Sequence, residues 1–340
     1  MSGSSNVSSA GRVAVLGAGA WGTALAIQLA RVGTPCDLWG RDAQAMQRLQ
    51  AERRNDRFLP GIAFPTQLGL RDSLNETVAL ADTLLIAVPS HAFPEMLQAI
   101  KPLLTPKHTV AWATKGFELA SGRLPHELAR TILGDAIPLA VLSGPTFALE
   151  VAKGLPCAIT VASTELQFAT ALALALSGDH FRAYTSTDVI GVEVGGALKN
   201  VIAIGAGIAD GLELGSNARL ALITRGLAEI TRLGVALGAK PDTFMGLSGL
   251  GDLVLTCTDN QSRNRRLGLL IAKGSDSQAA VKAIGSVVEG IPAARAARDV
   301  ATRAQVDMPI VLQIYRVLYE HMDVANAVKA LLDRQLKPEL

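Results

Sequence analysis

A lysine isolated among apolar neighbours is the residue of this sequence best suited to chemistry. Lys199 is the sole cation of GVEVGGALKNVIAIGAGIADG, residues 191–211. At helical spacing Gly195, Gly196, Ala203 and Ala206 fall on or near its face. All four are small, so room for a ligand is expected beside the amine. A lysine partly stripped of water gives up its proton more readily and can exchange it with a hydroxyl or carbonyl group. On spacing alone, a lysine snorkelling from a packed helix accounts for the pattern as well.

Two further clusters carry chemistry. In GLSGLGDLVLTCTDNQSRNRRLG, Asp252 follows a Gly-rich turn expected to be flexible, and Ser262-Arg263-Asn264 reads as a helix start. A guanidinium fork beside the free N–H groups of a helix start makes a phosphate site. A solvated basic cluster of Arg263, Arg265 and Arg266 is the competing reading. Lys115 ends the strand of AWATKGFE, and Ser143-Gly144-Pro145-Thr146 ends the strand PLAVL. Both fall at carboxyl ends of expected parallel strands, where ligands bind in open α/β sheets.

The elements that must hold these residues begin with VAVLGAGAWGTALA, residues 13–26. Gly17, Gly19 and Gly22 form GxGxxG directly after a strand and at the head of a helix. One glycine makes the tight turn, one lets backbone approach a pyrophosphate, and one lets helix and strand pack closely. A dinucleotide is expected there. After the next strand, PCDLW, comes Gly40-Arg41-Asp42. Arg41 suits a 2′-phosphate and favours NADPH over NADH, whereas Asp37 and Asp42 leave an acidic ribose ligand open.

From Arg12 to about Ser186, short β-branched runs alternate with helical stretches, the pattern of parallel βαβ units. Beyond Thr187, Ala- and Leu-rich helical segments follow, with helix starts or breaks at Pro292, Pro309 and near Gly285. The fold expected is an N-terminal α/β Rossmann-like doubly wound sheet, residues 12–190, and an all-α C-terminal domain, residues 191–335. The Ser-rich residues 1–11 read as a disordered tail without the apolar region of a secretory signal.

Composition narrows the classes. Of the 340 residues, 49% are hydrophobic and 18% charged, a globular profile. The net charge of +2 comes from no polybasic block, so neither nucleic acid nor an anionic membrane is an expected partner. The apolar run from Val194 to Ala209 is interrupted by Lys199 and Asn200 and falls short of a membrane span. Three dispersed cysteines argue for reduced, buried thiols in the cytoplasm, and no ligand spacing for a metal is found.

Taken in order, GAGAWGTALA, NDRFLPG, AVPSHAF, ATKGFE, LSGPTFALEVAKGLP, GALKNVIAIGAGIADGLELGSNARLALITRGLAE, GLSGLGDLVLTCT and QSRNRRLG give the chain a specific likeness. From Arg12 to about Leu332 it resembles the bacterial-type NAD(P)-dependent glycerol-3-phosphate dehydrogenases. The resemblance implies Lys199 as proton donor or acceptor, oriented by Asp252, with Lys115 adding electrostatic stabilisation. It implies a substrate site of Lys115, Gly144, Thr146, Lys199, Asp252, Ser262, Arg263 and Asn264. It also implies cofactor contacts at Ala20, Trp21, Arg41, Lys115, Ala148, Arg263, Val287 and Glu289, besides the glycine loop. Ala20 and Phe58 stand where many relatives carry Ser and Tyr, so a hydroxyl contact is missing at each.

The reaction so implied is reversible hydride transfer between NAD(P)H and dihydroxyacetone phosphate, giving sn-glycerol 3-phosphate for phospholipid synthesis. A cytoplasmic homodimer is expected. Two rivals remain at this level: a dehydrogenase using His91, just after AVPS, as its acid-base group, and a non-catalytic redox sensor that only binds the dinucleotide.

Overall fold

Alternation within single strands decides how the sheet is covered. In β1 (Val13–Leu16) every residue is buried, with Val13 and Val15 in one apolar cluster and Ala14 and Leu16 in another. That is the period of two a strand imposes when both faces are packed. The computed structural model describes residues 10–335. The expected tail at residues 1–11 lies outside them except for Ala10 and Gly11, and the Ala10 carbonyl accepts from the Thr83 hydroxyl at 2.8 Å.

After β1 come α1 (Ala20–Arg31), β2 (Cys36–Trp39), α2 (Ala43–Glu52), β3 (Gly69–Arg71), α3 (Leu74–Leu80), β4 (Thr83–Ile86) and α4 (Phe93–Ile100). They are followed by β5 (Thr109–Trp112), α5 (Pro125–Leu133), β6 (Leu139–Ser143), α6 (Ala148–Lys153), β7 (Cys157–Ala162), α7 (Leu166–Leu176) and β8 (Phe181–Ser186). One eight-stranded sheet results, in the order β3-β2-β1-β4-β5-β6-β7-β8. The strand order reverses between β1 and β4, so the glycine loop sits at the switch point of a doubly wound sheet.

The parallel pattern expected through Ser186 breaks once, because β7 runs antiparallel to β6 while β8 is parallel to β7. The helix between β6 and β7 explains it. With six residues, α6 rises about 9 Å, well short of the roughly 16 Å of a five-residue strand. It cannot return the chain to the start of β6, so the next strand runs back the other way. Arg31, closing α1, holds α6 by donating to the Val151 and Ala152 carbonyls at 3.0 and 2.5 Å.

The helical half comprises α8 (Val189–Gly211), α9 (Gly215–Ala236), α10 (Asp252–Thr258), α11 (Arg263–Ala272), α12 (Ser277–Ile284), α13 (Gly290–Arg303), α14 (Pro309–Tyr319) and α15 (Val324–Leu332). Ser262, Asp276 and Asp323 cap α11, α12 and α15 by accepting first-turn N–H groups, each meeting a donor that the helix leaves unpaired. Pro309 opens α14, Gly285 closes α12 at φ 71°, and Pro292 lies in the first turn of α13. By backbone contacts the chain parts into two compact units. One holds the residues up to Lys115 and Arg123–Glu193; the other holds Gly116–Gly122 and Val194 onward. The excursion at Gly116–Gly122 was not visible in the sequence.

Inside the second unit α8 and α11 cross backbone against backbone. A Cβ on Gly207 would lie 2.0 Å from the Arg265 carbonyl oxygen, and one on Gly268 would lie 2.0 Å from that of Ile204. By length and composition α8 could cross a membrane, but 83% of its apolar window is buried inside the protein.

Glu229 on α9 is buried and accepts the N–H groups of Ile310 and Val311 at 2.7 and 3.2 Å, capping α14. Burial pushes its carboxyl up to about 7, against the pull of those donors. The folded chain therefore holds this proton in a pH range where the unfolded chain has released it. Its stabilising effect is complete below the ordinary glutamate value and is lost as pH rises through about 7. Denaturant unfolding of wild type and Glu229→Gln at several pH values should show stability falling more steeply in the wild type across that window. Parallel curves would contradict it.

Candidate active site

Asp252 is brought to Lys199 by an unusual turn. Residues Leu247–Gly251 form a single wide helical turn leading directly into α10, the kind of insertion that re-aims a side chain. The expected flexible glycine turn is instead tightly packed. A Cβ on Gly249 would lie 2.1 Å from the Phe244 carbonyl oxygen, and one on Gly195 would lie 2.4 Å from that of Ser248. So the small residues beside Lys199 do not leave ligand space: Gly195, Ala203 and Ala206 are filled by protein. Smallness here serves close backbone approach.

The Lys199 ammonium donates to Oδ1 of Asp252. Asp252 is only 1% exposed, and the lysine side chain is 12% exposed. A carboxylate this buried is tolerable because it is paired and hydrogen-bonded, and the Thr256 hydroxyl lies 3.5 Å from the same Oδ1. The arrangement presents a proton donor oriented by a buried carboxylate and not wholly closed off from solvent.

One residue further along α8, Asn200 accepts from the amide of Asn264 at 2.8 Å, and Asn264 Oδ1 accepts the Gly290 N–H at 2.9 Å. Asn264 thereby joins α8, α11 and α13. Its carbonyl oxygen and one amide hydrogen are engaged within the protein, so it braces the site expected to use it. The Ser262 hydroxyl, also buried, accepts from the Arg265 N–H at 3.2 Å. Arg263 is exposed, at the first position of α11 where N–H groups have no acceptor within the helix. Arg265 leaves the solvated cluster: it is buried and donates to Asp210 at 3.2 and 2.5 Å. Val287 is exposed, and Glu289 is half-buried just before α13.

In the first unit the three glycines have three separate tasks. Gly17 adopts φ 127°, and a Cβ there would lie 2.7 Å from the Ala87 carbonyl oxygen at the end of β4. A Cβ on Gly22 would lie 1.9 Å from the Gly17 carbonyl oxygen, whereas beside Gly19 there is open space. The first turn of α1, with Ala20 and Trp21 partly exposed, has no side-chain cap and no acidic residue. A pyrophosphate fits this cradle: backbone can approach it at Gly19, and helix N–H groups face it. Asn55 completes the support by donating to the Ala18 carbonyl and the Thr23 hydroxyl at 3.1 and 2.9 Å.

Arg41 is an exposed side chain beyond β2, 3.9 Å from Glu95. Both acids that left a ribose ligand open have other work. Asp37 is buried between Arg12 and Arg71 at 2.9 and 3.0 Å, and Asp42 caps α2. Lys115 is half-buried, three residues past β5. At the end of β6, Thr146 donates to the Gly144 carbonyl at 3.2 Å, and half-buried Ala148 opens α6. The Ser143 hydroxyl beside Gly144 is buried and without a partner among the described residues. His91 is exposed in a short turn after β4. Phe58 is 43% exposed beneath the Arg57 guanidinium. Among the described residues no group of three His, Cys, Asp or Glu side chains gathers to hold a metal.

The sequence offered a signal for Glu193 that was passed over: it is the one acid among apolar residues from Val189 to Ala209. Asn55 and Asn200, which bridge elements through their amides, carried no comparable signal.

Comparison with known proteins identifies the family. Residues 12–169 match the model of the NAD-dependent glycerol-3-phosphate dehydrogenase N-terminus, and residues 188–329 match that of its C-terminus. A protein of Pseudoalteromonas translucida named glycerol-3-phosphate dehydrogenase [NAD(P)+] is 57% identical over 96% of this chain and 98% of its own length. One of the same name from Aeromonas hydrophila is 55% identical over the same shares. Among solved structures, a glycerol-3-phosphate dehydrogenase of Coxiella burnetii superposes with a TM-score of 0.91 at 47% identity, covering 95% of this chain and 99% of that one. The chain belongs to the NAD-dependent glycerol-3-phosphate dehydrogenase family, a Rossmann-like sheet joined to a helical domain, and is an oxidoreductase that works with NAD or NADP.

Proposed function

We propose that the protein interconverts dihydroxyacetone phosphate and sn-glycerol 3-phosphate, with Lys199 handling the proton and Arg263 the phosphate. The observation that carries this reading is the Asn200–Asn264 bond. It joins the residue after Lys199 to the residue after Arg263, so a proton donor and a phosphate-binding guanidinium stand on linked helices. A nicotinamide bound at the glycine loop would supply or accept the hydride at C2. As negative charge develops on the C2 oxygen, the Lys199 ammonium donates its proton there; in the reverse direction the neutral amine takes the hydroxyl proton. Asp252 aims the lysine and offsets its charge. Arg263, with Ser262 and Asn264 shaping the start of α11, holds the phosphate, so binding energy remote from C2 fixes the reacting carbon. Lys115, Gly144 and Thr146, at carboxyl ends of strands, are assigned to the same substrate.

The glycine loop, Ala20, Trp21, Arg41 and Ala148, with Val287, Glu289 and Arg263 of the second unit, are assigned to the cofactor. NADPH is favoured, because Arg41 is the one charge offered at the end of β2 once Asp37 and Asp42 are engaged. Arg41→Ala should raise KM for NADPH on the order of tenfold or more, the loss of a charge-assisted bond, and leave NADH unchanged. Equal losses with both cofactors would refute the role.

Supply of glycerol 3-phosphate to phospholipid synthesis, a cytoplasmic location and a homodimer complete the proposal and rest on family membership. The burial of the apolar surface of α8 supports the absence of membrane insertion. Cofactor oxidation on adding dihydroxyacetone phosphate tests the reading directly. Binding of NADPH without consumption would return the chain to the sensor reading, and full activity of Lys199→Ala would reopen that of His91.

A further inference from the structure

Three donors converge on a buried carboxylate that no step above uses. Oε1 of Glu193 accepts from the Trp112 indole N–H and from the His126 backbone N–H, each at 3.0 Å, and Oε2 meets His126 Nδ1 at 2.5 Å. The Glu193 side chain is 1% exposed. Burial alone would lower the affinity of the His126 ring for its proton, but the bond to Glu193 and its charge outweigh this, and the ring is pushed up. Burial pushes the Glu193 carboxyl up, against the pull of His126 and Trp112, so a costly polar group is kept inside and held by directional bonds.

Location suggests why. Trp112 ends β5, three residues before Lys115, and packs edge-on against Phe93 with centroids 5.6 Å apart. His126 is the second residue of α5, so its N–H has no acceptor within the helix. Glu193 lies on the opening turns of α8, six residues before Lys199, about 9 Å along the axis. Val189 and Val192 of those turns enter the same apolar cluster as Trp112, and the Gly191 N–H donates to Asp188 just before the helix at 3.0 Å. Apolar packing is non-directional and resists sliding or rotation weakly, whereas hydrogen bonds to an indole and a helix start fix both.

We propose that Glu193 is a positioning residue for proton transfer: by fastening the start of α8 to Trp112 and to the first turn of α5, it sets where the Lys199 ammonium stands. This rests on Lys199 being the proton-handling group.

The test uses full-length Glu193→Leu, Glu193→Gln, Trp112→Phe and Lys199→Ala, with kcat, KM, NADPH binding and thermal melting measured on each. Glu193→Leu should lower kcat on the order of 10- to 100-fold, the cost of a misplaced catalytic group. KM for dihydroxyacetone phosphate and the NADPH Kd should stay within about threefold, since ground-state binding is untouched. Glu193→Gln keeps an oxygen for both N–H donors and should retain kcat within about threefold. Trp112→Phe should lower kcat and add little further to Glu193→Leu, because the two changes break one link.

A folded Glu193→Leu with wild-type kcat would overturn the proposal. So would losses in every variant that follow only the folded fraction. Should Glu193→Leu not fold, unchanged kcat in Trp112→Phe overturns it equally. Lys199→Ala separates the two levels. If that variant is active, the reading of the active site fails; if it is inactive while Glu193→Leu is not, only the positioning role fails.

Discussion

Lys199→Ala should lower kcat by about 10²- to 10⁴-fold, the span ascribed to a positioned acid or base, while NADPH binding stays near wild type. The expectation follows from the geometry of the pair. The Lys199 side chain on α8 keeps part of its surface exposed, and Asp252, 1% exposed, accepts from its ammonium and holds its direction. The substitution also strands that carboxylate, which costs stability on the order of 3–5 kcal/mol when a buried partner is deleted. The double variant Lys199→Ala/Asp252→Asn removes the stranded charge. It should recover most of the lost melting temperature and none of the lost rate. Recovery of rate with melting temperature would mean that the lysine serves the fold and not the proton.

Arg263→Ala should reduce kcat/KM for dihydroxyacetone phosphate on the order of 10²- to 10³-fold. A bidentate charge-assisted contact corresponds to about 3–4 kcal/mol, with about 1.4 kcal/mol for each factor of ten. Turnover of unphosphorylated dihydroxyacetone, poor at the outset, should be unaffected. Arg263→Lys should recover only part, since an ammonium lacks the planar fork. The side chain is exposed at the start of α11, so neither change should move the melting temperature much. Equal loss on both substrates would show that Arg263 acts at C2 or in folding, contrary to the assignment.

These expectations divide cleanly by how much of their basis the sequence carries. The glycine loop was legible because each of its three positions obeys a local rule: a positive φ at Gly17, close approach at Gly22, open space at Gly19. The alternation of strands and helices was legible for the same reason, since periods of two and 3.6 are written into consecutive residues. Reversal at β7 was not, because it follows from comparing the rise of the six-residue α6 with the length of β6, a relation between two elements that no local pattern of residues states. The small residues around Lys199 show the limit most clearly. Their spacing does put them on or near one helix face, but at Gly195 that face is filled by the backbone of Ser248, 53 positions away by residue number. Likewise Arg265 reads as one of three surface arginines, and only the fold brings Asp210 to it. Glu193 could have been flagged by the rule applied to Lys199, a lone charge in an apolar helix, although its partners Trp112 and His126 could not be guessed.

The central claim is that the chain delivers a hydride to C2 of a phosphorylated ketone. It is tested most directly by mixing the wild-type protein with dihydroxyacetone phosphate and NADPH deuterated at the transferable position, then examining the product by NMR. The account predicts glycerol 3-phosphate carrying one deuterium at C2 for each NADPH consumed. NADPH consumed without deuterium at C2, or bound and not consumed, would contradict it.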